Sequence, residues 1–249
     1  MTANFPALRA WSKKSENLCA PDAIPQYWKT HDVITFLADT GMYDASLYDN
    51  LDSAERERVL QFKSDYFKKR FIVSRSLAKC ILHCLPGTEK TEKVVLSRGK
   101  KGMLVQGRND LFLSLSYSGS CIALSMGKRK IGSDIEMVNS SEIKKVLSSP
   151  LYNAIKCGNR NEESVRALHL WTLVEAYAKC KDKNPFPLLA ANTFFPDAGF
   201  VSYCFDRHAI LSLAYDTGTI DHAVFWIDPA TFASIVETKP AQLPCPAVT

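Results

Sequence analysis

Residues 111–136 constrain the fold most, because their side chains alternate at period two through three successive segments. In LFLSLSYS, Leu111, Leu113, Leu115 and Tyr117 interleave with Phe112, Ser114, Ser116 and Ser118. That alternation is the mark of a strand with one buried face. CIALSM repeats it with Ile122, Leu124 and Met126, and IGSDIE follows as a third strand. Gly119-Ser120 and GKRK supply the turns between them, so an antiparallel meander is expected. On the third strand Ile131, Ser133 and Ile135 share one face, and Gly132, Asp134 and Glu136 share the other. Two carboxylates side by side repel unless a cation sits between them. Gly132 reads as an opening for a ligand on that face. A hard divalent cation such as Mg²⁺, held by a few carboxylates and by substrate phosphates, would settle the charge. An isolated pair of this kind is common, and a solvated strand face at a sheet edge is then the better reading.

Helical patterns flank the alternating region. Asp52 precedes SAERERVLQF, with Glu55 three residues on, the spacing of a capping box. Apolar positions recur through Val59, Phe62, Tyr66, Phe67, Phe71, Leu77, Ile81 and Leu85, and stop at Pro86-Gly87. The run is long for one helix, so a break is expected near Ser64-Asp65. Lys68, Lys69, Arg70, Arg75 and Lys79 lie on this segment. All five suit a solvated basic face, the favoured reading for Lys68 and Lys69; Arg75 could as easily brace the domain. Asn159 and Glu162 start a second helix through EESVRALHLWTLVEAYAKCK, which ends at KDKNPFP. Leu170, Trp171, Val174, Tyr177 and Ala178 form its apolar stripe, with Trp171 read as core packing. Trp171, Glu175 and Lys179 are spaced i, i+4, i+8 and stack on adjacent turns. A plain surface ion pair between Glu175 and Lys179 would contribute a few tenths of a kcal/mol, roughly 0.3. The functional alternative brings a third carboxylate to a metal and a cation to a phosphate.

VITFLA at 33–38 and the later FVSYCF, AILSLAYD and HAVFWID read as further strands. The order of elements predicts an α+β fold. It is expected to form two similar halves related by a pseudo-twofold, each a small antiparallel sheet packed with helices, with a cleft between them. The expected divisions are an irregular arm at 1–25, a first half at 26–137, a second half at 138–237 and a disordered proline-rich tail at 238–249.

The chain has 249 residues, 46% hydrophobic and 23% charged, enough for a real core. A net charge of +5 suits an acidic partner or a polyphosphate ligand, and equally an ordinary basic surface. No apolar run reaches about 18 residues, so no membrane span is expected. MTANFPALRAWSKK lacks the apolar core of a signal peptide, so a cytoplasmic protein is expected. Eight cysteines lack CxxC pairs and read as reduced core thiols. The five histidines show no ligand spacing, and the 11 glycines form no phosphate-binding loop.

Five segments together resemble the 4′-phosphopantetheinyl transferases, specifically the monomeric type with two similar halves that serves surfactin synthetase and its relatives. LDSAERERVLQFKSDYFKKRFIVSRSLAKCIL resembles the basic helical segment of that family. SRGKKG is similar to its glycine–lysine–proline element, and LSLSYSGSCIALSM to its asparagine–x–serine–histidine–serine strand pair. IGSDIE looks like its glycine–isoleucine–aspartate–isoleucine–glutamate strand, and WTLVEAYAKC like its tryptophan–x–x–lysine–glutamate–x–x–x–lysine helix. Each motif is weak alone; five in order over residues 50–180 are fairly specific.

The resemblance implies transfer of phosphopantetheine from coenzyme A to a serine of an acyl or peptidyl carrier protein, releasing 3′,5′-adenosine bisphosphate. It implies that Asp134, Glu136 and Glu175 bind Mg²⁺ against the coenzyme A pyrophosphate. Glu175 would accept the serine proton, directly or through water, and Lys179 would stabilise the transferring phosphate. Arg58 and Lys100 would hold the adenosine 3′-phosphate and its neighbours, in a pocket lined by Ser116 and Tyr117. It also implies a monomer with no nucleic-acid partner. Several positions depart from the pattern. Tyr117 replaces a histidine, Val174 a lysine, Ser133 an isoleucine and Lys101 a proline, and the glycine after the catalytic helix is missing. These departures motivate a rival reading, a member that binds coenzyme A or a carrier protein without transfer. A basic nucleic-acid-binding protein is a second rival. It rests only on the helix at 64–80 and shows no recognition motif.

Overall fold

The computed structural model describes residues 6–11, 21–88, 94–99, 102–138, 143–155, 163–191, 194–205, 209–216 and 218–237. In chain order the elements are β1 (Leu8–Trp11), α1 (Ile24–Thr30), β2 (Val33–Asp39), α2 (Ser53–Gln61), α3 (Asp65–His83), β3 (Leu96–Gly99) and β4 (Gly102–Val105). Then come β5 (Phe112–Ser118), β6 (Cys121–Gly127), β7 (Ile131–Met137), α4 (Ile143–Leu147), α5 (Pro150–Ile155), α6 (Glu163–Lys181) and α7 (Pro185–Leu188). The chain continues through β8 (Ala198–Phe205), β9 (Ala209–Asp216), β10 (His222–Trp226) and α8 (Pro229–Glu237). The fold is α+β. Among the described residues one sheet has the order β10-β2-β6-β5-β4-β3 and the other β1-β8-β9-β7.

Local signals in the sequence are met where a side chain acts on its own neighbourhood. Asp52 caps α2: its Oδ1 accepts the Glu55 N–H at 2.9 Å, while its own N–H donates to Glu55 Oε2 at 3.1 Å. The helical run breaks between Gln61 and Asp65, and α3 stops before Pro86-Gly87. Gly119 takes φ +54° in the turn joining β5 to β6, a conformation that favours glycine. Lys79 does not belong to a solvated basic face. It is buried, and its ammonium donates to Asp52 and Glu55 and to the Asn50 carbonyl. Burial pushes the Glu55 carboxyl up against the pull of Lys79. Burial also works against ionisation of Asp52, but the Glu55 N–H and Lys79 outweigh it and hold that carboxyl low. Arg75 stands 3.8 Å from Glu55, bracing the same cluster.

The strand neighbours differ from expectation. β5 and β6 form the expected hairpin, but β7 leaves the meander and pairs antiparallel with β9. The sheets are also not purely antiparallel. β1, inside the segment expected to be an irregular arm, runs parallel to β8, and β10 runs parallel to β2. The two sheets therefore exchange strands across the boundary expected at residue 137. Alternation fixes which face of a strand is apolar; it does not choose the neighbouring strand. Residues 238–249, the expected tail, lie outside the described residues.

Helix α3 buries Ile72, Val73, Leu77, Ala78 and Ile81 in the core that also holds Ile34, Phe36, Ile122 and Leu124 of the six-stranded sheet. Helix α6 is buried on most of its surface, including Leu168, Leu170, Leu173, Val174 and Tyr177. Such all-round burial identifies an internal helix rather than a surface one. A third apolar cluster joins the sheets through Leu37, Ala123 and Val224 on one side and Ile135, Phe205 and Leu211 on the other.

Gly132 sets how closely α6 lies on β7. A Cβ at this position would run into the Ala176 carbonyl oxygen and stand 2.5 Å from Cys180 N and 2.9 Å from Lys179 Cβ. The face expected to lie open to a ligand at Gly132 is instead filled by the backbone of α6. Gly132→Ala is expected to destabilise the fold by about 3 kcal/mol, read from the denaturant midpoint. An unchanged midpoint would mean that α6 and β7 are not in this contact.

Candidate functional site

Where β5, β7 and α6 meet they line an open cavity of about 470 Å³. It is lined by Leu115, Ser116 and Tyr117, by Asp134 and Glu136, by Trp171, Glu175 and Lys179, and by Phe186 of α7. The residues from three separated motifs thus share one wall system. Strand periodicity turns Asp134 and Glu136 to the same face, and helical periodicity brings Trp171, Glu175 and Lys179 to theirs.

Asp134 is buried, and its Oδ1 accepts hydrogen bonds from Lys179 Nζ at 2.8 Å and Ser116 Oγ at 2.7 Å. Its Oδ2 is buried with no hydrogen-bond partner among the described residues. Lys179 also donates to the Ser133 carbonyl at 3.0 Å. An ammonium has three donors, and these two acceptors occupy two of its directions. Glu136 Oε2 accepts from Ser118 Oγ at 2.8 Å, and Trp171 lies with it on the cavity wall. Burial, reinforced by the Asp134 charge, pushes the Glu136 carboxyl up to about 7, against the opposing pull of Ser118, Lys179 and Trp171. Among the described lining residues, Asp134, Glu136 and Glu175 stand against a single lysine, Lys179.

Sequence reasoning marks some of these residues and misses others. Ser116, Tyr117, Asp134, Glu136, Glu175 and Lys179 all line the cavity. Arg58 does not: it is exposed on α2, where it donates to Gln61 Oε1 at 2.9 Å and lies over Phe62. Lys100 lies outside the described residues. Among the described residues two cations stand over aromatic rings that line the cavity: Arg70, whose guanidinium lies 4.6 Å from the Tyr117 ring centre and 4.9 Å from that of Phe67, and Lys145, 5.4 Å from that of Phe186. The Tyr117 hydroxyl does not reach into the cavity for a nucleotide; it donates to Ser74 Oγ of α3 at 3.0 Å. Trp171, expected as core packing, is buried and also forms part of the wall. Phe186 has half of its surface exposed and carries no motif that marks it. Val174, where the resembling helix has lysine, is fully buried and supplies nothing to the cavity.

The expected three-carboxylate metal set is not assembled as such. Among the described residues no three His, Cys, Asp or Glu side chains are grouped to hold a metal ion. Two carboxylates on one strand face, one with an unpartnered buried oxygen and the other pushed up by burial and then by its neighbour's charge, do suit a hard cation. Mg²⁺ commonly takes one or two protein carboxylates and completes its shell with water and substrate phosphates. Asp134 and Glu136 fit that donor set, with Glu175 on the facing helix.

No protein-family model matches the chain, and no curated protein matches it. No helix among the described residues is long and apolar enough to cross a membrane.

The raised Glu136 carboxyl makes stability depend on pH. Folding favours the protonated form, so its contribution is fully present below the unfolded value of 4.5 and is lost as pH rises through about 7. Between pH 5 and 8 the denaturant midpoint is expected to fall, with Glu136 accounting for about 2 kcal/mol after allowance for its partial exposure. Glu136→Gln is expected to flatten that fall. An equally steep fall in the variant would assign the dependence to another group.

Proposed function

We propose that the chain is a 4′-phosphopantetheinyl transferase acting on coenzyme A and an acyl or peptidyl carrier protein. The observation that supports this most is convergence: Ser116, Tyr117, Asp134, Glu136, Glu175 and Lys179, each picked out by the resemblance, line one cavity.

In this reaction the carrier serine oxygen attacks the phosphorus that bears pantetheine. A new serine O–P bond forms, the pyrophosphate P–O bond breaks, and 3′,5′-adenosine bisphosphate leaves with the electron pair. The serine proton passes to a carboxylate, for which Glu175 on the cavity wall is our assignment, directly or through one water. Lys179 brings positive charge to the transferring phosphate. Phosphoryl chemistry of this kind needs positioning and charge neutralisation more than covalent help from the protein. Asp134 and Glu136 would hold Mg²⁺, which when bound would neutralise the pyrophosphate; Glu175 faces them from the helix without completing a three-carboxylate set. We assign Arg70, rather than Arg58, to the phosphates on the adenosine side, because Arg70 is the cation that stands over Tyr117 at the cavity. Lys100 keeps that role only by resemblance.

The test is the intact mass of an apo carrier protein after incubation with this protein, coenzyme A and Mg²⁺. A gain equal to phosphopantetheine is expected, abolished by chelation and by Asp134→Ala. Bound coenzyme A with no mass gain across several carriers would overturn transfer. It would favour the rival reading of a binder, which the buried Val174 and the Ser74-bound Tyr117 motivate. Arg70→Ala is expected to raise KM for coenzyme A more than for dephospho-coenzyme A. Equal effects on both substrates would remove Arg70 from the 3′-phosphate.

A further inference from the structure

Strand β7 is an edge strand of its sheet, yet its outer edge does not face solvent. The N–H groups of Ser133, Ile135 and Met137 donate to three serine hydroxyls of β5: Ser114 at 2.9 Å, Ser116 at 3.2 Å and Ser118 at 2.9 Å. All three serines are buried. Side-chain oxygens thus stand in for a missing neighbouring strand.

This arrangement dictates where each hydroxyl proton goes. A serine hydroxyl has one proton and two acceptor lone pairs. Having accepted a backbone N–H, Ser116 directs its proton to Asp134 Oδ1 at 2.7 Å, and Ser118 directs its own to Glu136 Oε2 at 2.8 Å. Ser114 performs the same backbone service with no carboxylate; its nearest acceptor is the Ser133 carbonyl at 3.5 Å. Each of the two carboxylates is therefore pinned by one oxygen to a hydroxyl that is itself pinned to the backbone of the carboxylate's own strand. Asp134 Oδ2 is left buried and unpartnered among the described residues, on a side chain that lines the cavity.

We infer that Ser116 and Ser118 are positioning residues for a divalent cation held by Asp134 and Glu136, an inference that rests on the metal site within the transferase reading. Hydroxyls that orient carboxylate ligands fix the ligand geometry before the ion arrives. Loss of such an outer contact typically weakens metal affinity by about ten-fold or more. Ser114 is the internal control, because its loss loosens the same strand contact without touching a carboxylate.

The experiment is a Mn²⁺ titration of the full chain at fixed pH, with free Mn²⁺ read by electron paramagnetic resonance and thermal melting recorded in parallel. Wild-type binding is expected, lost in Asp134→Ala. Ser118→Ala is expected to weaken Mn²⁺ by about ten-fold or more, and Ser118→Thr, which keeps the hydroxyl, by less than about three-fold. Ser114→Ala is expected to lower the melting temperature as Ser118→Ala does, while binding Mn²⁺ like wild type. Should Ser118→Ala fail to fold, Ser118→Cys keeps the size with a weak donor and is expected to show the same loss. Equal Mn²⁺ affinity in the position-114 and position-118 variants, or wild-type binding that survives Asp134→Ala, would overturn the inference. Transfer to a carrier is read separately by mass. Serine-independent Mn²⁺ binding with intact transfer removes the positioning role alone. Serine-dependent binding without transfer removes the transferase reading alone.

Discussion

The contact between the serine face of β5 and the outer edge of β7 holds the rest of this structure in place. A sheet edge buried without partners would leave backbone N–H groups unsatisfied, each at a cost of about 1–3 kcal/mol. Three hydroxyls meet that need at Ser133, Ile135 and Met137. The same contact brings the six-stranded and four-stranded sheets together, with Ile135 and Leu211 packing against Leu37 and Val224 beside it. Because the hydroxyls also bond Asp134 and Glu136, one set of interactions serves both the junction and the acidic pair.

Helix α6 completes the arrangement from the other side. It is buried nearly all round, so its position is set by packing and not by its exposed charges. Gly132 removes the side chain that would keep helix and strand apart, and Lys179 then reaches both the Ser133 carbonyl and Asp134. Lys179 offsets part of the acidic charge. The rise of Glu136 to about 7 measures what burial and the remaining repulsion leave uncompensated. A ligand that brings a divalent cation would relieve that excess, which is why the proposed function places a cation with a pyrophosphate here.

Much of the site was legible in the sequence because it depends on short-range periodicity. Asp134 and Glu136 share a face by strand geometry, and Trp171, Glu175 and Lys179 by helix geometry, whatever the tertiary neighbours. The capping box at Asp52 and Glu55 and the break before Asp65 are equally local. What failed depended on long-range choice. Nothing in the alternation of IGSDIE tells β7 to pair with β9, or the segment at Leu8–Trp11 to add to β8. The basic residues between Arg58 and Lys79 differ in fate through the angle at which each helix docks: Lys79 is interior, Arg70 lies over Tyr117, and Arg58 faces out. One signal was available and pointed further than it was taken. Three serines at period two within an otherwise apolar strand invite the question of what their hydroxyls bond, and the answer is β7.

The central claim is that β5, β7 and α6 build a cavity for a divalent cation together with a pyrophosphate. Its most direct measurement is an anomalous difference map from crystals grown with coenzyme A and Mn²⁺. The account predicts one strong peak within coordination distance of Asp134 and Glu136, against the coenzyme A pyrophosphate. Coenzyme A bound elsewhere, or a pyrophosphate in this cavity with no metal peak at the two carboxylates, would contradict it.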